Sequence, residues 1–276
     1  MRLFPLLLLL AGCAAAPNAG GGGIVSVNPC ADAMLVRMVP AARIAAISHY
    51  SQDPAATSIP IDLARRFRAT AGTAEEVIAL APDLVVASSF AAPATRDAYA
   101  RAGLKTLYLD APQTIAASEA QVRQLAAAVG AEAAGERMVA AIEAAVADTA
   151  TCPPANHDGC SRRTGAAADP SVLLYIAGDL ATGGGTLLDA MMTHVGLTNA
   201  AAGYGLTYTG RLPAETIVAH PPDIILAPDD GRAATLRRHL LPQTPVAAFP
   251  RDLVNCAGPS IPPALRRLAA IRASQA

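Results

Sequence analysis

The sequence predicts an α/β fold with two Rossmann-like lobes, each built on a parallel sheet, joined by a long α-helix and separated by a ligand cleft. Three observations lead to this prediction. Short apolar runs alternate with helical segments along the chain, one element of fourteen residues occurs twice, and a stretch rich in Ala, Glu and Gln separates the two copies. Strands that alternate with helices along a chain form parallel sheets with helices packed on their faces.

The repeated element is the strongest of these observations. Residues 74–87 read AEEVIALAPDLVVA and residues 214–227 read AETIVAHPPDIILA. Six of the fourteen positions are identical, and five more exchange one aliphatic residue for another. The offset of 140 residues is about half the chain, so the repeat indicates two lobes of similar build and not a solenoid of short period.

Each copy predicts a short helix followed by a buried strand. The first helix starts near Thr73, which has a capping-box partner three residues later, and the second starts near Pro213, which suits a first helical turn. A proline ends each helix. The apolar runs Leu84–Ala87 and Ile224–Ala227 are then interpreted as buried parallel strands.

The remaining elements follow the same alternation. In the first half, further strands are predicted at Ile24–Val27, Arg43–Ile47 and Lys105–Leu109, and helices at Asp32–Val39 and Pro93–Ala102. In the second half, further strands are predicted at Val172–Ile176 and Val246–Phe249, and helices at Thr186–Val195, Arg232–Leu240 and Ile261–Arg272. Residues 115–150 predict a helix, a turn and a longer helix from about Ala131 to Ala150.

The first residues, MRLFPLLLLLAGC, are typical of an export signal, because the apolar run Leu3–Ala11 is too short to span a bilayer. The ending Leu10–Cys13 resembles the lipobox of bacterial lipoproteins, in which the cysteine carries the lipid. An ordinary secretory signal cleaved near Ala14–Ala16 is the alternative. The predicted divisions are a signal peptide (1–12), a flexible tether (13–23), an N-terminal lobe (24–114), a helical linker (115–150), a loop insertion (151–170) and a C-terminal lobe (171–276).

The composition limits the function classes. A hydrophobic fraction of 53% is enough to bury a core, so general disorder is excluded. Twenty-one basic and 22 acidic side chains give a formal charge of −1, which argues against nucleic-acid binding, since that function needs a basic face. There is no Trp and there are only four Phe, so aromatic recognition would depend mostly on the six Tyr.

Export also changes the interpretation of the cysteines. If Cys13 carries lipid, four thiols remain in an oxidising compartment, and three disulfide pairings are possible. Cys152 and Cys160 lie close together in a loop-like stretch, and pairing them would leave Cys30 with Cys256. Each of the latter two falls at a predicted cleft edge, so we hypothesise a disulfide between the lobes that limits their opening. No Cys/His zinc spacing is present, and no metal site is predicted.

Several segments in order resemble the periplasmic cobalamin- and iron-chelate-binding proteins of ABC importers, the helical-backbone type. They are IVSVNPCADAMLVRMVPAARIAAIS, HYSQDP and GTAEEVIALAPDLVVAS in the first half, and GGGTLLDAMMTHVGLTNAA, GRLPAETIVAHPPDIILAP and CAGPSIPPALRRL in the second. The resemblance runs from Ile24 to about Leu268. It implies two rigid lobes bridged by a helix, a ligand held between them, and no reaction catalysed on that ligand.

The resemblance also implies a biological setting. A periplasmic, lipid-anchored monomer would capture a corrinoid (cobalamin) or a ferric chelate and deliver it to an ABC permease dimer with its ATPase subunits. The protein itself would need no cofactor. Haem and ferric siderophores are the alternative ligands. An exported enzyme or scaffold that kept only the fold is the alternative of another class.

The candidate ligand-binding residues follow predicted strands, because parallel sheets bind ligands at the carboxyl ends of their strands. They are Pro29, Cys30, His49, Tyr50, Ser88 and Phe90 in the first lobe, and Gly184, Tyr204, Tyr208, Arg211 and Arg251 in the second. Aromatic and arginine side chains would suit a ligand with apolar and polar parts. Tyr204 and Tyr208 could instead only order a glycine-rich loop, and the glycines before Thr186 form either an anion-binding helix start or a flexible turn.

Two of these positions carry further expectations. Tyr50 matches a position that lines the cleft in the cobalamin-binding member of the family, whereas the Trp that this relative uses is absent here. His49 could ligate a chelated metal or form a hydrogen bond in its loop. A reactive Cys30–His49 pair would be the site of an enzyme, although no GxSxG, HExxH or paired acid/base motif accompanies it.

Glu75 and Glu215 occupy equivalent places in the first turns of the two repeated helices. Each carboxylate could simply stabilise its helix dipole. In the family that the chain resembles, such glutamates form salt bridges with arginines of the permease dimer, and one glutamate per lobe suits a two-fold partner. Both residues are therefore predicted to dock the protein on its permease.

Overall fold

Five parallel strands form the sheet of the first lobe. In the computed structural model, which describes residues 22–150, 169–176, 180–228, 239 and 241–274, these strands have the order β3-β2-β1-β4-β5. Their bounds are β1 Ile24–Ser26, β2 Ile44–Ser48, β3 Ala69–Thr70, β4 Leu84–Ser88 and β5 Thr106–Leu109. The predicted strands are present within one residue at either end, and β3 is an additional edge strand of two residues.

Four α-helices cover this sheet: α1 Pro29–Met38, α2 Ile61–Ala64, α3 Ala74–Ala79 and α4 Pro93–Arg101. Helix α1 begins three residues earlier than predicted, because the Asn28 side chain accepts hydrogen bonds from the backbone N–H groups of Cys30 and Ala31. Proline at the first helical position fits this cap, since its missing N–H would have no partner there.

The second lobe has a mixed sheet in the order β11-β10-β6-β7-β9, with β8 paired to β6. The strands are β6 Ser171–Ile176, β7 Leu180–Thr182, β8 Thr198–Asn199, β9 Thr209–Arg211, β10 Ile224–Ala227 and β11 Val246–Ala248. Strands β6, β10 and β11 run parallel, as predicted. Strand β8, which was not predicted, pairs parallel with β6. Strands β7 and β9 pair antiparallel, and this addition to the parallel sheet was not predicted.

The described helices of this lobe are α7 Leu187–His194, α8 Ala200–Gly203, α9 Ala214–Ala219 and α10 Ile261–Ala273. Short 3-10 turns at Arg251–Leu253 and Gly258–Ser260 lead into α10. The helix predicted at Arg232–Leu240 lies outside the described residues except for His239.

Two helices connect the lobes. Helix α5 spans Ile115–Val129 and ends at Gly130, whose left-handed φ of 62° suits glycine. Helix α6 spans Glu132–Thr149. Val139 of α6 is buried in the core of the first lobe, whereas Ile142 belongs to the core of the second, so one helix packs on both lobes. We expect such a connection to restrict hinge motion between them.

The two copies of the repeat adopt the same local structure. In each short helix one aliphatic residue is buried, Val77 in α3 and Ile217 in α9. Asp83 Oδ2 accepts a hydrogen bond of 2.6 Å from the backbone N–H of Gly23. In the same way, Asp223 Oδ2 accepts a hydrogen bond of 2.8 Å from the backbone N–H of Ser171. The repeated aspartate therefore fixes the start of the neighbouring strand in both lobes.

Parts of the predicted organisation fall outside the described residues. They include the signal peptide, Cys13, most of the tether, and residues 151–168 of the loop insertion. Among the helices of the described ranges, none combines the length and the apolarity needed to cross a bilayer.

Candidate functional site

A cavity of about 360 Å³ lies between the lobes. This volume is within the range of small-molecule pockets, about 300–1,000 Å³. The wall from the first lobe comes from the carboxyl ends of β1, β4 and β5, which are neighbours in the sheet, and includes Asn28, Ser88, Phe90 and Asp110. Phe90 leaves 78% of its surface exposed, so its ring is available to a ligand. This wall therefore lies where parallel sheets usually bind ligands, at the carboxyl ends of the strands.

The opposite wall is largely helical. Leu187, Leu188 and Met191 of α7 face the cavity, with Thr182 at the end of β7 and Thr209 at the start of β9. Thr182 and Thr209 lie within two of the segments that follow predicted strands, 177–185 and 204–211. Leu187, Leu188 and Met191 were not predicted, because the candidates came only from such segments. The spacing of the apolar residues in LLDAMM, at i, i+1 and i+4, is a helical signal that could have found them.

A disulfide forms part of the cavity wall. Cys30, at the start of α1, is bonded to Cys256, with their Cα atoms 5.1 Å apart. The hydroxyl of Ser58 donates a hydrogen bond of 3.0 Å to the carbonyl oxygen of Asp252 in the same region. These contacts connect the two lobes on one side of the cleft. The other predicted cysteines, Cys152 and Cys160, lie outside the described residues.

The disulfide also removes the reactive pair considered as an enzyme site. A thiolate is the nucleophilic form of cysteine, and Cys30 is oxidised here. The ring nitrogen Nδ1 of His49 lies 3.2 Å from the carbonyl oxygen of Thr70, so the imidazole has a structural partner. The Cys30–His49 hypothesis is therefore wrong for this oxidised state.

His49 and Tyr50 form a small aromatic cluster beside the cleft. Their ring centroids are 4.0 Å apart, and Tyr50 is 52% exposed. They follow β2, the strand adjacent to β1, and so share the sheet edge that carries the cavity wall. Neither residue lines the cavity itself. They could reach only a ligand that extends beyond the cavity on this side.

Asp32 of α1 holds the turn His49–Gln52, which carries these two rings, in place. Asp32 Oδ2 accepts hydrogen bonds of 2.9 Å from the Ser48 backbone N–H and 2.6 Å from the Ser51 hydroxyl, whereas its Oδ1 has no partner. Complete burial raises the pKa of Asp32 to about 7, although the hydrogen bonds act in the opposite direction. A titrating carboxyl group thus supports one edge of the candidate site.

The remaining predicted residues do not line the cavity. Pro29 occupies the first position of α1, between two lining residues. Gly184 donates its backbone N–H to the carbonyl oxygen of Leu206 at 2.8 Å. The Tyr204 hydroxyl donates to the carbonyl oxygen of His220, which supports the structural interpretation of this tyrosine.

Three further predicted residues of the second lobe are also absent from the cavity wall. Tyr208 is 58% exposed and precedes the lining residue Thr209. Arg211 ends β9 and is exposed, whereas Arg251 begins a 3-10 turn and is partly buried. Across the described ranges, no group of three or more His, Cys, Asp or Glu side chains could hold a metal ion.

Solved structures with the same architecture come from periplasmic proteins. The haem-binding protein RhuT of Roseiflexus sp. RS-1 in its apo form is 22% identical, with a TM-score of 0.69, and the match covers 92% of this chain and 98% of that one. HutB of Vibrio cholerae, also haem-binding, is 15% identical with a TM-score of 0.69, and the match covers 92% and 98%.

A third structure, the haem-binding protein BhuT in complex with two haems, is 24% identical with a TM-score of 0.67, and the match covers 91% of this chain and 100% of that one. No curated protein is similar enough in sequence to match the chain. The family model described as periplasmic binding protein matches residues 24–242, which include both copies of the repeat and the first cysteine of the disulfide. The chain therefore belongs to the periplasmic binding protein family.

Proposed function

We propose that this protein captures a metal tetrapyrrole, in the first place haem, in the cavity between its lobes and delivers it to an ABC permease. The observation that carries the proposal is the cavity itself. Most of its wall is apolar, and a few polar groups, among them Asn28, Ser88 and Gln121, are placed around it. An extended apolar macrocycle with polar substituents would present apolar surface to most of this wall and polar atoms to its polar side chains.

The side chains around the cavity suit such a ligand. Phe90 offers an exposed ring for stacking on a flat macrocycle. Met34 and Met191 contribute polarisable thioethers to the wall, and methionine side chains adapt to irregular surfaces. Tyr50 and Tyr208 present exposed phenols on opposite lobes, and a tyrosine oxygen is an established type of axial ligand for haem iron.

The structural neighbours favour haem over a corrinoid, since RhuT, HutB and BhuT are described as haem-binding proteins. A corrinoid and a ferric siderophore share the requirement for an apolar cleft with polar groups and are the competing ligands. The permease is part of the proposal because periplasmic binding proteins of this family deliver their ligands to such importers.

The two glutamates of the repeat support the delivery step. Glu75 and Glu215 are exposed on α3 and α9, and neither carboxylate forms a hydrogen bond or ion pair with a described residue. Glu76, by contrast, accepts a hydrogen bond of 2.8 Å from the Ala71 backbone N–H and so has a local capping role. One unpaired carboxylate per lobe matches a partner that presents two equivalent cations.

The location follows from the same proposal. Membership of the family supports a periplasmic location. The LAGC sequence supports a lipid anchor on Cys13, with the protein otherwise outside the membrane and acting as a monomer. Treatment with globomycin, an inhibitor of the lipoprotein signal peptidase, tests the anchor, because it would leave the signal peptide attached to the protein.

The experiment that tests the ligand is a titration of the purified protein with haemin and, separately, with cyanocobalamin. We expect one haemin per chain with a dissociation constant below about 1 μM, or about −8 kcal/mol. Tight binding of cyanocobalamin without binding of haemin would indicate that the ligand is a corrinoid. Absence of binding to both would reject the tetrapyrrole class.

A second experiment tests delivery. Cells with the charge-reversing pair E75R/E215R should lose haemin uptake, while the purified variant keeps its haemin affinity within about twofold, because neither glutamate lines the cavity. Unchanged uptake would contradict docking through these glutamates.

A further inference from the structure

A second cavity, also of about 360 Å³, lies where three elements of the structure meet. Its wall comes from the end of α1 in the first lobe, from the first half of α6, and from the 3-10 turn and first residues of α10 in the second lobe. None of the residues that line it also lines the cavity between the lobes. It is therefore a separate site, and the proposed function gives it no role.

Two arginines provide the polar part of this wall. Arg37 lies in the last turn of α1, and Arg137 lies in the first half of α6. Nη1 of Arg37 donates a hydrogen bond of 2.7 Å to the carbonyl oxygen of Ala33, which leaves most N–H donors of this guanidinium for another partner. No carboxylate of the described residues lines the cavity. Two fixed positive charges therefore face the same space.

The two arginines differ in this respect from Arg123 on the neighbouring helix α5. Arg123 lies 3.0 Å from Glu136 and 3.7 Å from Glu143, whereas neither Arg37 nor Arg137 forms an ion pair with a described residue. The sequence gives a reason for Arg137, because the positions three and four residues away on either side of it are all alanine. Helix α6 thus offers it no acidic neighbour on its own surface.

The rest of the wall is apolar. It includes Met138, Pro259 and Pro262. Pro262 is buried and Met138 packs against the core of the first lobe, so this surface is held in place. An arginine fork matches the oxygens of a carboxylate or a phosphate, and such charge-assisted hydrogen bonds are the stronger ones. A cavity with cations beside an apolar surface therefore suits a molecule that has an anionic head and an apolar body.

We propose that the second cavity binds a small organic anion, with its carboxylate or phosphate head between Arg37 and Arg137 and its apolar body on Met138 and the two prolines. An inorganic anion would leave the apolar wall uncovered, and a neutral molecule would leave both cations without a partner. The bound anion would contact α1, α6 and the start of α10 together, so it would stabilise the junction of the lobes. The inference does not depend on the proposed function.

Isothermal titration calorimetry with octanoate and with octyl phosphate tests the inference. The two probes share one alkyl chain and distinguish the two kinds of head, while octan-1-ol has the chain without a charge and inorganic phosphate has the charge without a chain. We expect at least one of the two anions to bind with a dissociation constant below about 1 mM. Octan-1-ol and inorganic phosphate should bind at least about tenfold more weakly. Equal affinities for that anion and octan-1-ol, or no saturable binding of either anion, would overturn the inference.

The role of the arginines is measured with a double variant and a control of equal charge. R37Q/R137Q should weaken binding of the better anion at least about tenfold, because both charged donors are lost. R65Q/R101Q removes two exposed arginines outside the cavity and should bind like the wild type. The same affinity in the two double variants would contradict the proposed head position and overturn the inference.

Three tryptophan variants locate the apolar body. Ala141 is an exposed residue of the wall, so A141W should obstruct the second cavity, whereas A140W, at the adjacent exposed position outside the wall, should bind the anion like the wild type. A111W obstructs the cavity between the lobes and should also bind it like the wild type. Loss of anion binding in A111W with normal binding in A141W would overturn this inference and leave the proposed function untouched.

Discussion

Cys30 and Cys256 are 226 positions apart in the sequence and are joined by a disulfide in the wall of the cavity. The bond connects the start of α1 in the first lobe to the segment that precedes α10 in the second. Helix α6 connects the cores of the same lobes elsewhere. The lobes are therefore held together at two places, and we expect the cavity between them to be largely formed before a ligand arrives.

Removal of this disulfide should destabilise the protein. The double variant C30S/C256S is expected to lose about 2–4 kcal/mol of free energy of unfolding, because the bond restricts the unfolded chain over a long loop. Urea denaturation measures the loss. Wild-type protein in the presence of dithiothreitol should fall to the level of the variant, and a variant as stable as the oxidised wild type would contradict the prediction.

Gly183 is required by the close approach of β7 to the segment before β9. A Cβ atom at this position would overlap the carbonyl oxygen of Leu206 and lie 2.6 Å from that of Tyr208. G183A should therefore lower the free energy of unfolding by about 1–3 kcal/mol, the usual cost of overpacking. Gly203 has no atom within 4 Å of such a Cβ, so G203A is the matched control and should be neutral or stabilising. Equal effects of the two substitutions in urea denaturation would be inconsistent with this contact.

Asp32 should make the stability depend on pH. Burial raises its pKa from 3.8 to about 7, so between these values the folded protein keeps a proton that the unfolded chain has released. Its contribution to the free energy of unfolding therefore falls as the pH rises through this window, by at most about 1.4 kcal/mol per pH unit, and levels off above pH 7.

The variant D32N isolates this effect. The difference in free energy of unfolding between pH 5 and pH 8, measured in urea, should be smaller in D32N than in the wild type. D62N, which removes an exposed carboxylate, should keep the wild-type difference. An unchanged difference in D32N would show that Asp32 is already ionised at pH 5.

Obstruction of the cavity should reduce ligand affinity without unfolding the protein. Ala111 lines the cavity and is exposed, so A111W places an indole in the ligand space with little strain in the core. We expect the haemin affinity to fall at least about tenfold, or about 1.4 kcal/mol. A116W, at an exposed position of α5 away from the cavity, should bind like the wild type. If A111W bound haemin as tightly as the wild type does, the haemin site would lie outside this cavity.

The first lobe was largely predictable from the sequence because its strands are buried on both faces. Val85 and Val86 of β4, for example, are fully buried, and such strands appear as uninterrupted apolar runs. Strands β7 and β9 have no such signal. Arg211 is exposed and Gly210 adds no apolar side chain, so the composition of β9 gives little signal. These short strands depend on pairing, β9 with β7 and β7 with β6.

The candidate site was predictable only in part. Ser88 and Phe90 follow a strand, so the position of ligand sites in parallel sheets identifies them. Leu188 and Met191 line the cavity from a helix, and their side chains resemble ordinary core residues in sequence because they are nearly fully buried. Tyr50 was expected in the cavity wall, but it lies beside the cavity, since the turn His49–Gln52 directs it to solvent.

Native mass spectrometry of the protein purified from its own bacterium tests the central claim most directly, because it does not presuppose the ligand. We expect one metal tetrapyrrole per chain, with the mass and the absorption spectrum of haem, and we expect the A111W variant to lack it. A protein that carries no ligand after growth with haemin, or that carries a ligand without a tetrapyrrole ring, would contradict the proposed function.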